Sequence, residues 1–265
     1  MSPDLLFALT LVVKMGVTAA FVVIASMVAE RAGPLVGAMV STLPISAGPA
    51  YVFLALDHDN AFVAQSALTS FAVNAATTVY ALIYAAVAQR GTLARSLPIA
   101  LGSWLVLAIA IEQAHWTLVN ALALNVVILA ICIPLSHRFQ HVKMPFARRR
   151  WYDMPLRAGM VACLVATVVG LSARVGPAVT GILAVFPIVL TSLMLILQPR
   201  IGGPATAAVI ANTLWGLVGF GAALVTLHVF VGSLGAAGAL SLALAVAIGW
   251  NVMIWVIRRR AHSPR

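Results

Sequence analysis

Long apolar runs separated by short polar loops dominate the chain, and they predict membrane-spanning helices. A helix needs about 20 apolar residues to cross the hydrocarbon core of a bilayer. The runs are rich in Ala, Leu, Ile and Gly, which is typical of helices rather than of the alternating strands of a membrane barrel. The nine predicted spans are 5–29, 34–56, 61–88, 96–112, 117–135, 154–173, 177–198, 204–227 and 233–257. The fourth span is short, so a re-entrant segment is an alternative there.

A spaced motif occurs twice and indicates an internal repeat. Arg31-x-Gly33-Pro34-x-Val36, followed by Pro44-Ile45, returns as Arg174-x-Gly176-Pro177-x-Val179, followed by Pro187-Ile188. One constant offset of 143 residues relates the two copies. Five spans separate their starts, so the copies should cross the membrane in opposite directions. Inverted repeats with interrupted helices are a known device of secondary transporters.

The repeat sets the predicted organisation of the chain. We expect a first repeat of five helices over 1–135, a basic cytoplasmic linker over 136–153 and a second repeat of four helices over 154–265. The last span contains Asn251-Val-Met-Ile, which matches Asn125-Val-Val-Ile in the fifth. The second repeat therefore lacks a counterpart of the fourth helix.

The distribution of charge predicts the orientation. With nine spans and the N-terminus outside, thirteen Lys and Arg residues lie in cytoplasmic segments and only Arg174 lies in an outer loop. This bias is the one that the positive-inside rule requires, and it places the C-terminus in the cytoplasm. The same rule accounts for the net charge of +10 without a nucleic-acid partner. A composition of 63% hydrophobic residues, with a mean hydropathy of +1.07, excludes an ordinary water-soluble domain.

Two prolines fall near the middle of predicted helices 2 and 7. Pro44 and Pro187 are repeat-equivalent, and each removes a helical N–H and frees the carbonyl four residues earlier. Unwound carbonyls can coordinate a cation, and a half-helix N-terminus can face an anion. The alternative is a kink that serves packing alone. We predict that these broken helices contribute Ser41, Thr42, Pro44, Ser46, Pro187 and Thr191 to a binding site.

Two basic residues lie inside predicted spans. Lys14 in helix 1 and its repeat partner Arg157 in helix 6 are candidates to hold an anionic substrate, because ionisable groups at membrane depth are commonly functional. Snorkelling of both side chains to the headgroups is the alternative. No Asp or Glu falls in the interior of a predicted span, which argues against a proton relay through a buried carboxylate.

Helix 3 carries an unusual number of polar residues. Positions 66, 70, 74 and 77 share one helical face. Thr69, Ser70 and Asn74 from this helix, with Asn212 and Thr213 from its counterpart helix 8, complete the candidate substrate site. Interhelical hydrogen bonding is the competing interpretation of this polar stripe. Gly232, Gly235 and Gly238 in helix 9 favour close helix contact or a homodimer.

The predicted layout resembles secondary transporters with inverted five-helix repeats, such as the bile-acid/sodium symporter type. A second, local resemblance, over about 13–85 and 156–228, is to a duplicated short inner-membrane protein of the GlpM kind, carried by Gly33-Pro34 and Pro44 before a polar helix. The first resemblance implies alternating access around a midplane site, and neither assigns a role to any residue here.

These observations predict an all-α polytopic protein of the bacterial inner membrane. The expected function is that of a secondary transporter or exporter of a small metabolite, anionic rather than cationic. The alternative is a non-transporting membrane subunit or scaffold. We expect no enzymatic activity, because the chain lacks a catalytic motif, and no metal or cofactor. Sodium coupling through carbonyls and hydroxyls stays open.

Overall fold

The computed structural model describes residues 3–31, 47–140, 142 and 150–261. Within these ranges every regular element is an α-helix, as the apolar runs predict. The helices are α1 (Pro3–Arg31), α2 (Ala47–Asp57), α3 (Asn60–Val87), α4 (Leu93–Glu112), α5 (Leu118–Gln140), α6 (Asp153–Ala184), α7 (Ile188–Ile201) and α8 (Gly203–Ala261). Of the predicted helix 2, only the second half lies in the described ranges, as α2.

Two turns inside the helices are made by glycines with positive φ. At Gly176 (φ 74°) α6 turns back, so that its return limb, 177–184, leads into α7, whose Arg200 is ion-paired with Asp153 at the start of α6. At Gly235 (φ 67°) α8 folds into a hairpin, in which Trp250 Nε1 donates a hydrogen bond to Trp215 O at 2.8 Å. Residues with a Cβ rarely adopt such φ values. Gly235 therefore serves a turn rather than a helix-packing face.

The described helices identify a multi-pass membrane protein. Six of them, α1, α3, α4, α5, α6 and α8, are long and apolar enough to cross a membrane, and α2 and α7 are shorter apolar helices. Helix α4 has 20 residues, which at ~1.5 Å per residue spans about 30 Å, so it is long enough to cross the bilayer. The count of nine spans and the orientation stay predictions.

Helix α3 is the central element of the described structure. It packs against α4, α5, α6 and α8. In its apolar span 72% of the residues are buried, whereas only 17% are buried in the apolar spans of α1 and of α5. Small residues allow this crowding: a Cβ added to Gly181 would lie 2.3 Å from Ser66 O, and one added to Gly203 would lie 1.9 Å from Ala88 O. Close backbone approach of this kind is a main source of helix association in membranes.

The predicted break at Pro187 is present in the structure. Helix α6 ends at Ala184 and α7 begins at Ile188, with Pro187 as its N-cap. The carbonyl of Leu183 accepts a hydrogen bond from the Phe186 amide at 3.1 Å. Pro44, and with it the predicted break in helix 2, lies outside the described residues. The predicted linker, 136–153, begins within α5, which extends to Gln140.

Candidate functional site

The polar stripe of α3 (Ser66, Ser70, Asn74 and Thr77) is buried where α3 packs against neighbouring helices. Ser66 Oγ donates to Pro177 O at 3.0 Å, and Ser70 Oγ donates to Gly181 O at 2.6 Å. The hydroxyl of Tyr51 lies 2.6 Å from Ser70 Oγ, and since the Ser70 proton is already committed, Tyr51 is the donor. The first half of the stripe thus joins α3 to the return limb of α6 and to α2.

Two asparagines meet near the middle of α3. Asn74 Nδ2 donates to Asn125 Oδ1 at 3.0 Å and to Leu217 O at 3.2 Å. Asn125 Nδ2 in turn donates to Phe71 O at 2.7 Å. Asn74 is fully buried, and its Oδ1 has no hydrogen-bond partner among the described residues. An acceptor left unpaired at this depth is costly, so this oxygen is the candidate contact for a ligand donor.

The second half of the stripe continues with tyrosines that sequence reasoning missed. Tyr80 OH lies 2.9 Å from Thr191 Oγ1, which donates to Pro187 O at 2.7 Å. Tyr84 OH donates to Gln198 Oε1 at 2.7 Å. Their positions three and seven residues after Thr77 were a signal for their place on this face. The structure therefore brings Thr191 and Pro187 to α3, at the level of Tyr80 rather than of Asn74.

The two basic candidates, Lys14 of α1 and Arg157 of α6, lie near opposite ends of α6. Lys14 Nζ is 2.7 Å from Asp57 Oδ1 at the end of α2, and the adjacent His58 Nε2 is 2.7 Å from Ser172 Oγ on α6. Arg157 is fifteen residues before Ser172, or about 22 Å along the helix axis. The structure does not bring Lys14 and Arg157 into one site, and the Lys14 ammonium has an internal counter-ion.

The start of α6 carries a second charged cluster. Arg200 Nη1 donates to Asp153 Oδ2 at 2.6 Å, and Arg150 Nη1 donates to Tyr152 OH at 2.8 Å. The hydrogen bonds from Arg150 and then from Arg200 lower the pKa of the half-buried Tyr152 phenol. This cluster holds the base of the α6–α7 hairpin together.

The other predicted site residues separate into two groups. The polar atoms of Thr69, Asn212 and Thr213 hydrogen-bond to carbonyls of their own helices, those of Gln65, Ala208 and Ile210. None of these three hydrogen bonds connects α3 to α8. Ser41, Thr42, Pro44 and Ser46 lie outside the described residues.

Two cavities in the described part have apolar walls. One, of about 430 Å³, lies between α1, α2 and both limbs of α8. The other, of about 530 Å³, lies beside the break at Pro187 and is lined by α6, Phe186 and Ile188. Neither is lined by Asn74.

Among the described residues, no group of three or more His, Cys, Asp or Glu side chains is placed to hold a metal ion. Comparison of the chain with protein-family models, curated proteins and solved structures found no match.

Proposed function

We propose that the chain is a secondary transporter or exporter of a small anionic metabolite in a bacterial inner membrane. Two inverted repeats would rock against each other around a midplane site where α3 meets the first limb of α8 (203–234). The observation that carries this proposal is the contact between Asn74 and Leu217, with the unpaired Asn74 oxygen beside it.

Asn74 and Leu217 are repeat-equivalent, since they differ by the offset of 143 residues. A contact between equivalent positions is expected where a two-fold axis relates two copies. The helices on either side run antiparallel about this point, because His228 Nδ1 lies 2.8 Å from Ala64 O and Gly203 lies against Ala88 O. Ala88 is fourteen residues after Asn74, and Gly203 is fourteen before Leu217. This symmetry supports the inverted repeat, which many alternating-access transporters use.

The described carboxylates lie away from the proposed site, which removes charge pairing as a way to bind a cationic substrate there. Asp57, Asp59, Glu112 and Asp153 lie at helix ends or in the loop before α3. A dehydrated cation bound where Asn74 contacts Leu217 would have none of these four carboxylates nearby. Asn74 Oδ1 accepts hydrogen bonds only, so the metabolite should also carry an O–H or N–H donor.

Ligand-dependent thermal stability of the purified protein tests this proposal. Panels of anionic, cationic and neutral metabolites, each with and without sodium, should contain an anion that raises the melting temperature as its concentration rises. The shift should disappear in Asn74→Leu and persist in Thr226→Val, a control that removes a hydroxyl bonded only within α8. The same anion should then be taken up by proteoliposomes. A flat response to every panel would contradict the proposal.

A specific observation favours the second candidate, a non-transporting membrane subunit or scaffold. Both described cavities have apolar walls, and Ser66, Ser70 and Tyr84 are engaged in bonds between helices. In this function the stripe of α3 holds the bundle together and no metabolite changes its stability. The flat thermal response that contradicts transport is the result this candidate predicts.

A further inference from the structure

The cavity of about 430 Å³ between α1, α2 and α8 is a groove that a further helix would fill. We name it the α8 groove. Its walls come from four helical segments, namely the first limb of α8, α2, α1 and the second limb of α8. The residues that define it are Phe220, Ala223, Tyr51, Val52, Val17, Phe21, Ala243 and Leu244. Val17, Val52 and Leu244 are each about half exposed, which shows that the groove opens sideways to the surroundings of the bundle.

The equivalent place in the first repeat is occupied by α4. The offset of 143 residues relates Phe220 to Thr77, which accepts a hydrogen bond from Trp104 Nε1 of α4 at 3.1 Å. It also relates Ala55 of α2 to Gln198, which accepts from Ser96 Oγ of α4 at 3.0 Å. The sequence of the second repeat has no counterpart of α4. The α8 groove therefore lies where that missing helix would pack.

The walls of the groove differ in chemistry from the surface that α4 covers. Thr77 and Gln198 present a hydroxyl and an amide to α4, whereas their equivalents are Phe220 and Ala55. A helix that fits the groove therefore needs an apolar face without polar anchors. Since the repeats are inverted, it must also run opposite to α4, from outside to inside.

We propose that α1 of a second copy of this chain occupies the α8 groove. Under the nine-span topology α1 runs from outside to inside, and its outward face is apolar and exposed, with Leu9 47%, Val13 63% and Val17 55% exposed. Val17 and Phe21 also line the groove, so two α1 helices can pair about a two-fold axis along the membrane normal while each enters the other's groove. Such an arrangement closes as a dimer. The proposal rests on the inverted repeat but not on transport.

Disulfide cross-linking in native membranes tests the pairing. In a Cys132→Ala, Cys163→Ala background, Val17→Cys and Phe21→Cys should each give a cross-linked dimer on mild oxidation. Val127→Cys on α5 is the matched control, because Val127 is 54% exposed against 55% for Val17. It should stay monomeric. Cross-linking at both α1 positions no stronger than at Val127 would overturn the proposal.

A groove-filling variant separates this arrangement from other occupants. Ala243→Phe places a ring in the groove and should reduce the Val17→Cys dimer at least tenfold, while circular dichroism and the elution volume show a folded monomer. Native mass spectrometry of the unmodified protein should show two copies of the chain. A monomer carrying a phospholipid, or a complex with a different polypeptide, would overturn the proposal. Since no metabolite enters these measurements, a dimer without transport contradicts only the proposed function, and transport by a monomer contradicts only the dimer.

Discussion

At the scale of single residues, hydrogen bonds among buried polar side chains connect the helices. Asn74 and Asn125 illustrate how far sequence could go. The predicted spans place both asparagines inside the membrane, and helical spacing places Asn74 in the polar stripe of α3. The pairing of the two was not readable, because 51 residues separate them and only the packing of α3 against α5 brings them within 3.0 Å.

Replacing Asn125 should destabilise the protein more than replacing an asparagine that bonds within its own helix. Asn125→Leu removes the hydrogen bond that Asn125 Oδ1 accepts from Asn74 Nδ2 and the one that Asn125 Nδ2 donates to Phe71 O, both of which join α5 to α3. Interhelical bonds in membranes are worth about 0.6 to 2 kcal/mol each, so we expect a loss of about 1 to 3 kcal/mol. Asn212→Leu, whose amide bonds only to Ala208 O, is the control. Unfolding in sodium dodecyl sulfate measures both, and equal losses would contradict the assignment.

The Lys14–Asp57 pair should appear as a coupling energy in a double-mutant cycle. Lys14→Met and Asp57→Leu should together cost less than the sum of the single changes, by about 0.5 to 1 kcal/mol, since Asp57 is partly exposed and screened. Lys14→Met combined with Glu112→Gln should be additive. If Lys14 instead holds substrate, its replacement will lower ligand affinity equally in the Asp57→Leu background.

At the scale of elements, close approach of helices depends on glycines at particular positions. Gly181→Ala would push a Cβ into the Ser66 carbonyl at 2.3 Å, so α3 and the return limb of α6 must separate. Overpacking of this kind costs about 1 to 3 kcal/mol. Gly159→Ala, also in α6 but with no atom within 4 Å, should be close to neutral. Thermal unfolding of the two variants measures the difference, and the packing predicts a clearly lower melting temperature for Gly181→Ala than for Gly159→Ala.

The hairpin turn of α8 gives a second matched pair of glycines. Gly235→Ala forces a residue with a Cβ to φ 67° and ψ 169°, a region that essentially only glycine occupies, which costs about 1 to 3 kcal/mol. Gly232→Ala lies in the preceding helical turn, with open space around it, and should leave stability unchanged or raise it by up to about 1 kcal/mol. A Gly235→Ala melting temperature at or above that of Gly232→Ala would show that the turn does not depend on this glycine.

At the scale of the whole molecule, the charge bias predicts one orientation in the membrane. In a background without Cys132 and Cys163, Ala114→Cys between α4 and α5 should react with a membrane-impermeant maleimide in intact cells. Thr92→Cys between α3 and α4 should react only after permeabilisation. Both residues are exposed. Labelling in the opposite order would place the N-terminus inside and remove the basis for the predicted direction of α1.

The amino-acid sequence alone predicts the helical membrane class, the limits of most of the described helices, the helix start at Gly176-Pro177 and the break at Pro187. These features follow from local chemistry, namely hydrophobic length and the backbone restrictions of glycine and proline. Tertiary structure decided which carbonyls Ser66 and Ser70 reach, that Lys14 pairs with Asp57, and that a groove opens where α4 has no counterpart. These contacts join residues 43 to 111 positions apart, so they depend on how the helices pack and not on any local pattern.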